Sequence, residues 1–127
     1  MLFVGPSSKG GRGVFTSKAI KAGTVIEISP VLVFSPKERK ALEETLLYNY
    51  IFEWGEDQKS ACVALGYVSL YNHSYDANCS YEMDYETELM TITTVKAVKK
   101  GEELSINYNA TPDDETPVWF HETVVDE

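Results

Sequence analysis

The sequence has 127 residues, 43% of them hydrophobic, and a formal net charge of −9. That length fits one domain around one core and leaves no room for a large separate cofactor domain. A field of this sign repels phosphate backbones and favours Lys- and Arg-rich partners, so direct nucleic-acid binding is not expected.

The N-terminal apolar run Leu2-Phe3-Val4 has no basic stretch before it, which does not suit a signal peptide. No run is long enough to span a membrane. An intracellular protein is expected. Gly10-Gly11-Arg12-Gly13 precedes a strand at Val14-Phe15-Thr16 and reads as a plain turn. No helix follows it, as a dinucleotide fingerprint would need, and the Gly-Lys-Ser/Thr ending of a P-loop is absent.

Ser17 to Ile28 is similar to Val95 to Ile106. Each segment reads as a strand ending, a Lys-x-Gly turn at Gly23 or Gly101, and a second strand, giving two related β-corners. Ser35-Pro36-Lys37-Glu38 combines a cap, a first-turn proline and a capping box, and predicts an amphipathic helix over 36–47 with Leu42 and Leu46 on one face. Tyr48, Tyr50, Phe52 and Trp54 alternate as in a strand with an aromatic face. Asp57 is expected to cap a second helical stretch ending at Gly66. Cys62 and Cys79 have no CxxC spacing, and His73 and His121 add no zinc pattern, so two buried free thiols and no metal are expected.

Asn72-His73-Ser74-Tyr75-Asp76-Ala77-Asn78 is rich in turn-forming polar side chains. No GxSxG elbow accompanies Ser74, which argues against a serine hydrolase. Ser80 to Val95 reads as a hairpin with Glu82, Asp84, Glu86 and Glu88 on a solvated face. In Gly101-Glu102-Glu103-Leu104-Ser105-Ile106-Asn107-Tyr108, Leu104, Ile106 and Tyr108 share one face of a strand. Residues 110–127 are acidic, and Val118-Trp119-Phe120 is apolar enough to fold back onto the body. Many short strands with no βαβ rhythm exclude a Rossmann-type fold.

Taken in order, Gly-Arg-Gly-Val-Phe, Tyr50-Ile51-Phe52, Asn72-His73-Ser74 with Asn78, and Gly101 to Tyr108 resemble the SET-domain lysine methyltransferases. The resemblance covers about residues 10–109 and is nearest to the minimal viral and bacterial SET proteins. It implies a mainly β fold with short helices, the β-clip arrangement of several small sheets with a C-terminal pseudoknot. It also implies S-adenosylmethionine as cofactor, S-adenosylhomocysteine as product, and a lysine of a basic protein such as a histone as substrate.

By the same resemblance Gly11, Arg12 and Gly13 face the methionine end of the cofactor. Tyr50 contacts it at the base of the lysine channel. Asn72 and His73 bind its amino group and adenine, and Tyr108 stands beside the transferring methyl group. Tyr71, Ile106 and Phe120 are expected along the substrate channel and Trp119 at the cofactor; because the usual cysteine-rich closing segment is missing, either Trp119 or Phe120 is expected to cover the adenine. Tyr71 and Tyr75 stand where the family commonly has other residues. Location would be cytoplasmic, or nuclear in a eukaryotic or viral setting, and a homodimer completing the substrate groove is an open alternative. A non-catalytic SET-fold module for basic peptides is the competing reading, against which the presence of both Tyr50 and Tyr108 argues.

Overall fold

The glycine-rich turn folds the N-terminal apolar run back onto the strand behind it. In the computed structural model, which describes residues 1–108, β1 (Leu2–Pro6) and β2 (Arg12–Thr16) pair antiparallel from Leu2 opposite Thr16 to Pro6 opposite Arg12. Ser7 N donates to Gly11 O at 3.0 Å and Gly10 N to Ser7 O at 3.1 Å, with Gly10 and Gly11 both at positive φ. β1 has no clear alternation in sequence. It forms because Phe3 stacks on Phe15 across the pair, at 5.6 Å between ring centroids.

The strands that follow are β3 (Val25–Phe34), β4 (Ile51–Trp54), β5 (Ser60–Ala64), β6 (Asn72–His73), β7 (Cys79–Asp84), β8 (Leu89–Thr94) and β9 (Glu103–Ile106). They build a four-stranded sheet in the order β1-β2-β9-β6 and a five-stranded sheet in the order β4-β5-β3-β8-β7. The expected hairpin is β7–β8, with its acids exposed. The long strand β3 pairs with β8 through its first half and with β5 through its second, which curls the larger sheet. Among the described residues the architecture is mainly β with one short α-helix, as expected.

The helical readings are only partly right. The capping box is present: Glu38 N donates to Ser35 Oγ at 3.2 Å and Ser35 N to Glu38 Oε1 at 2.9 Å. Helix α1 (Pro36–Leu42) stops earlier than residue 47, however, because Thr45 Oγ1 turns back to Leu42 O and caps a separate 3-10 turn, Leu46–Asn49. Leu46 is 76% exposed and does not extend an apolar face, and Tyr48 lies in the 3-10 turn rather than in a strand. What holds α1 is Arg39, which pairs with Glu53 of β4 at 2.9 Å and donates to Gln58 O and Ser60 O at the start of β5.

The stretch from Asp57 to Gly66 is not a helix. Asp57 Oδ1 accepts from Lys59 N in a tight turn closed by Gln58 N to Gly55 O, and β5 follows at once. Small and β-branched residues suit β5, which lies between β4 and β3 with Ala61 and Cys62 fully buried. Cys62 and Cys79 are both buried free thiols.

The two corners meet back to back. Ile20 N donates to Val98 O and Val98 N to Ile20 O, each at 2.8 Å. Gly23 N donates to Thr94 O and Gly101 N to Thr16 O, each at 2.7 Å, with φ of 81° and 83° at the two glycines. The sequence similarity is thus a structural pseudo-dyad. Val14, Val31, Trp54, Tyr71, Met90, Ile92, Val98, Leu104 and Ile106 form the shared core between the sheets. Among the described residues no helix is long and apolar enough to cross a membrane.

Candidate functional site

Strand β9 is the spine of the site. It is flanked by β2 on one side, with Val14 opposite Leu104, and by β6 on the other, in parallel, with Asn72 opposite Ser105 and His73 opposite Ile106. Parallel pairing joins segments far apart in sequence, so Asn72-His73 and the Gly101–Tyr108 segment lie side by side. The threading of a C-terminal pseudoknot and the fold-back of residues 110–127 involve residues outside the described ones, as do Trp119 and Phe120.

Asn78 fastens β9 to the turn after β6. Its Nδ2 donates to Glu103 O at 2.9 Å and its Oδ1 accepts from Ser105 N at 2.9 Å, so the side chain acts as a further rung of the ladder. Ser74 N donates to Ile106 O at 3.0 Å. These bonds hold the strand ends rigidly where Asn72, His73 and Tyr108 project.

Tyr108 follows β9 directly. Its hydroxyl donates to Tyr71 O at 2.7 Å, and its backbone N donates to His73 Nδ1 at 3.1 Å. An accepting Nδ1 puts the proton of a neutral His73 ring on Nε2. His73 also packs its ring against Tyr75 and Tyr108, with centroids 4.3 and 5.3 Å away. Burial pushes the Tyr108 phenol well above the ordinary tyrosine range, and the neighbouring Tyr81 and Tyr50 push in the same direction. The group is therefore a neutral phenol at any physiological pH, a fixed dipole and not a base.

Tyr71 presents its carbonyl to Tyr108, while its own side chain is fully buried and donates to Glu27 Oε1 at 3.1 Å. Glu27 also accepts from Tyr67 N, and desolvation raises its pKa above the usual carboxylate range. Ile106 is fully buried in the core beside His73. Tyr50 follows the 3-10 turn, where its carbonyl accepts from Ser69 Oγ at 2.9 Å. Arg12 contributes its backbone oxygen, which accepts from Asn72 Nδ2 at 3.0 Å. Gly13 is buried beside Asn72 and Glu103, whereas Gly11 lies in the exposed turn.

Three residues to which the sequence reading gave no site role belong to this cluster. Phe52 and Tyr81 wall Tyr108: Phe52 stands edge-on at 6.1 Å, and the Tyr81 hydroxyl donates to Tyr108 O at 3.2 Å. Glu103 accepts from Asn72 Nδ2 at 2.8 Å and from Ser7 Oγ at 2.7 Å. Phe52 was visible as part of an aromatic alternation. Nothing in Gly-Glu-Glu distinguishes Glu103, which turns inward, from Glu102, which accepts from Lys99 N at the corner. Among the described residues no three His, Cys, Asp or Glu side chains converge as a metal site.

The family model described as SET domain matches residues 11–109. A Schizosaccharomyces pombe protein named histone-lysine N-methyltransferase, H3 lysine-37 specific, is 38% identical over 99 residues, covering 77% of this chain and 66% of that protein. The chain thus spans just under two thirds of the length of that relative. The crystal structure of a candidate histone methyltransferase of Plasmodium falciparum superposes with a TM-score of 0.67 at 29% identity, over 85% of this chain and 96% of that one. A chain of the Chaetomium thermophilum Polycomb Repressive Complex 2, a humanised mutant bound to an inhibitor, gives a TM-score of 0.72 at 24% identity, over 85% of this chain and 15% of its own length, and speaks for the fold alone. The match across most of the sequence and the paired Asn72-His73 and Glu103–Tyr108 segments agree, and the chain belongs to the SET domain family.

Proposed function

We propose that this chain transfers a methyl group from S-adenosylmethionine to the ε-amine of a lysine in a basic protein, a histone tail or a histone-like protein. The observation that carries this reading is the tethered phenol of Tyr108, bonded to Tyr71 O at the end of β9 beside Asn72 and His73. The fungal relative's name supports a histone as the substrate class, and a histone substrate would place the protein in the nucleus. The net charge of −9 favours a cationic tail over nucleic acid.

The chain's own residues fit this cofactor. A Cβ built at Gly10 or Gly11 meets nothing within 4 Å, so the turn's backbone is open to close approach. Both donors of the Asn72 amide are engaged by Arg12 O and Glu103, so its oxygen is left to face an ammonium. Gly11, Arg12, Gly13 and Asn72 would hold the methionine end, His73 the adenine side, and Tyr50 the base of the lysine channel.

When bound, the cofactor would supply a methyl group on a sulfonium, open to in-line attack by an amine with the neutral thioether as leaving group. The amine must be neutral, and deprotonating a lysine of pKa about 10.4 at pH 8 costs about 3 kcal/mol in water. Rings of Phe52, Tyr81 and Tyr108 desolvate an amine held among them and so lower that cost. Tyr108 spends its proton on Tyr71 O, which aims its oxygen lone pairs by a fixed geometry and suits weak C–H···O contact with the methyl group. Ile106 would limit the channel from the core side.

The test is incubation with methyl-labelled S-adenosylmethionine and a panel of histones and other Lys-rich proteins. Label should appear on lysine. Tyr108→Phe should lower kcat on the order of 10- to 100-fold through lost positioning. Its cofactor affinity by calorimetry should stay within about twofold. Full-rate methylation by that variant would overturn the role of Tyr108, and cofactor binding with no transfer to any protein would favour the binding-module reading.

A further inference from the structure

We infer that Glu103 is a positioning residue that sets the orientation of the Asn72 amide, so that Asn72 offers only its oxygen to the cofactor's amino group. This rests on the methyltransferase reading above and extends it to a residue that does not itself meet the cofactor.

An Asn side chain is nearly symmetric in shape, and only its hydrogen-bond partners decide which end is oxygen. Here both neighbours on one side are acceptors. Asn72 Nδ2 donates to Arg12 O at 3.0 Å and to Glu103 Oε2 at 2.8 Å, and a flipped amide would set its oxygen against two oxygens. Among the described residues nothing donates to Oδ1. The carboxylate is itself held, since its other oxygen accepts from Ser7 Oγ at 2.7 Å. Room for it is provided by Gly13: a Cβ there would collide with Glu103 Oε2 and press on Asn72 Nδ2 at 3.0 Å. The Gly-rich turn, β9 and Asn72 are thereby joined through one side chain.

The carbonyl of Arg12 alone would leave the second N–H without an acceptor and the amide able to turn. In the flipped state an N–H would face the cofactor's ammonium, which needs an acceptor. Loss of Glu103 should therefore appear as lost recognition of the amino group.

The experiment compares binding of S-adenosylhomocysteine and its deaminated analogue to the wild type, Glu103→Gln and Glu103→Ala, by calorimetry, after circular dichroism has shown each variant folded. The wild type should prefer the amine-bearing ligand by about tenfold or more, the worth of one charge-assisted hydrogen bond. Glu103→Gln keeps an acceptor for Asn72 and should retain that preference. Glu103→Ala should reduce it to within about threefold, a change in ratio that general loosening of the fold would not produce. In parallel, the Asn72 side-chain amide proton signals of labelled protein, without any ligand, should move toward solvent-exposed positions in Glu103→Ala and not in Glu103→Gln. A Glu103→Ala variant that discriminates like the wild type, or a Glu103→Gln variant as impaired as Glu103→Ala, would overturn the inference. A wild type that binds neither compound would instead sink the methyltransferase reading, and this one with it.

Discussion

Asn78 shows how a single side chain can replace a strand. It is buried, its backbone carbonyl accepts from Val95 N at 2.8 Å, and its amide satisfies Glu103 O and Ser105 N of β9. Asn78→Ala would strand Glu103 O and Ser105 N in the interior, an expected loss of about 2–4 kcal/mol. Urea denaturation reads this directly, and a loss below about 0.5 kcal/mol would mean that water substitutes for the amide. Because β9 carries Glu103 and leads into Tyr108, activity should fall along with stability. Asn78→Asp should be no better, since a carboxylate cannot donate to Glu103 O.

At the scale of elements, the two β-corners share one construction. Thr16, Ile20 and Gly23 correspond to Thr94, Val98 and Gly101, and each corner donates its glycine N–H to the threonine carbonyl of the other. Both glycines have a left-handed backbone, and a Cβ at either would meet nothing within 4 Å. Gly23→Ala and Gly101→Ala should therefore each destabilise through backbone strain alone, by about 1–2 kcal/mol. Similar losses for the two in denaturant titrations would support the symmetry. A much larger loss for one of them would mean that its corner carries contacts the other lacks. The site breaks this symmetry: only the second corner continues into a strand flanked by both β2 and β6, and only that strand leads into Tyr108.

For the whole molecule, the buried acids of highest pKa set the alkaline limit. Burial pushes Cys62, Cys79 and Tyr81 up to about 12, and pushes Tyr71 and Tyr108 further in the same direction. Each binds its proton more tightly in the folded chain than in the unfolded one, so unfolding releases protons at high pH. Their contribution is fully present below the unfolded values, about 8.5 for Cys and 10 for Tyr, and is lost as pH rises toward the folded values. Stability should accordingly be insensitive to these groups up to about pH 8 and fall steeply above about pH 10. Phenolate absorbance from the buried tyrosines should rise together with loss of the circular dichroism signal. Complete tyrosine ionisation near pH 10 with the fold intact would contradict their burial.

Much of this was legible in the residues themselves. Ser35-Pro36-Lys37-Glu38 determined a helix start, Gly23 and Gly101 determined two turns, and the alternation from Ser80 to Val95 determined a hairpin, because each rests on contacts between near neighbours in the chain. The ordered motifs pointed to the family because they are read from residue identities in order, without any contact being known. The failures share one cause. Asp57 to Gly66 reads locally as a capped helix, yet its fate is decided by β3 and β4, which enclose Ala61 and Cys62 on both sides. Leu46 reads as part of an apolar face, but among the described residues it stays largely exposed. Glu103 and Glu102 are indistinguishable until β2 and β6 close on either side of β9 and turn one carboxylate toward Asn72. The sequence alone determined the local turns, the strand-rich composition and the chemistry that Asn72, His73 and Tyr108 can offer. Tertiary structure decided which carbonyl tethers Tyr108 and which carboxylate orients Asn72, because those partners are joined only when distant strands pair.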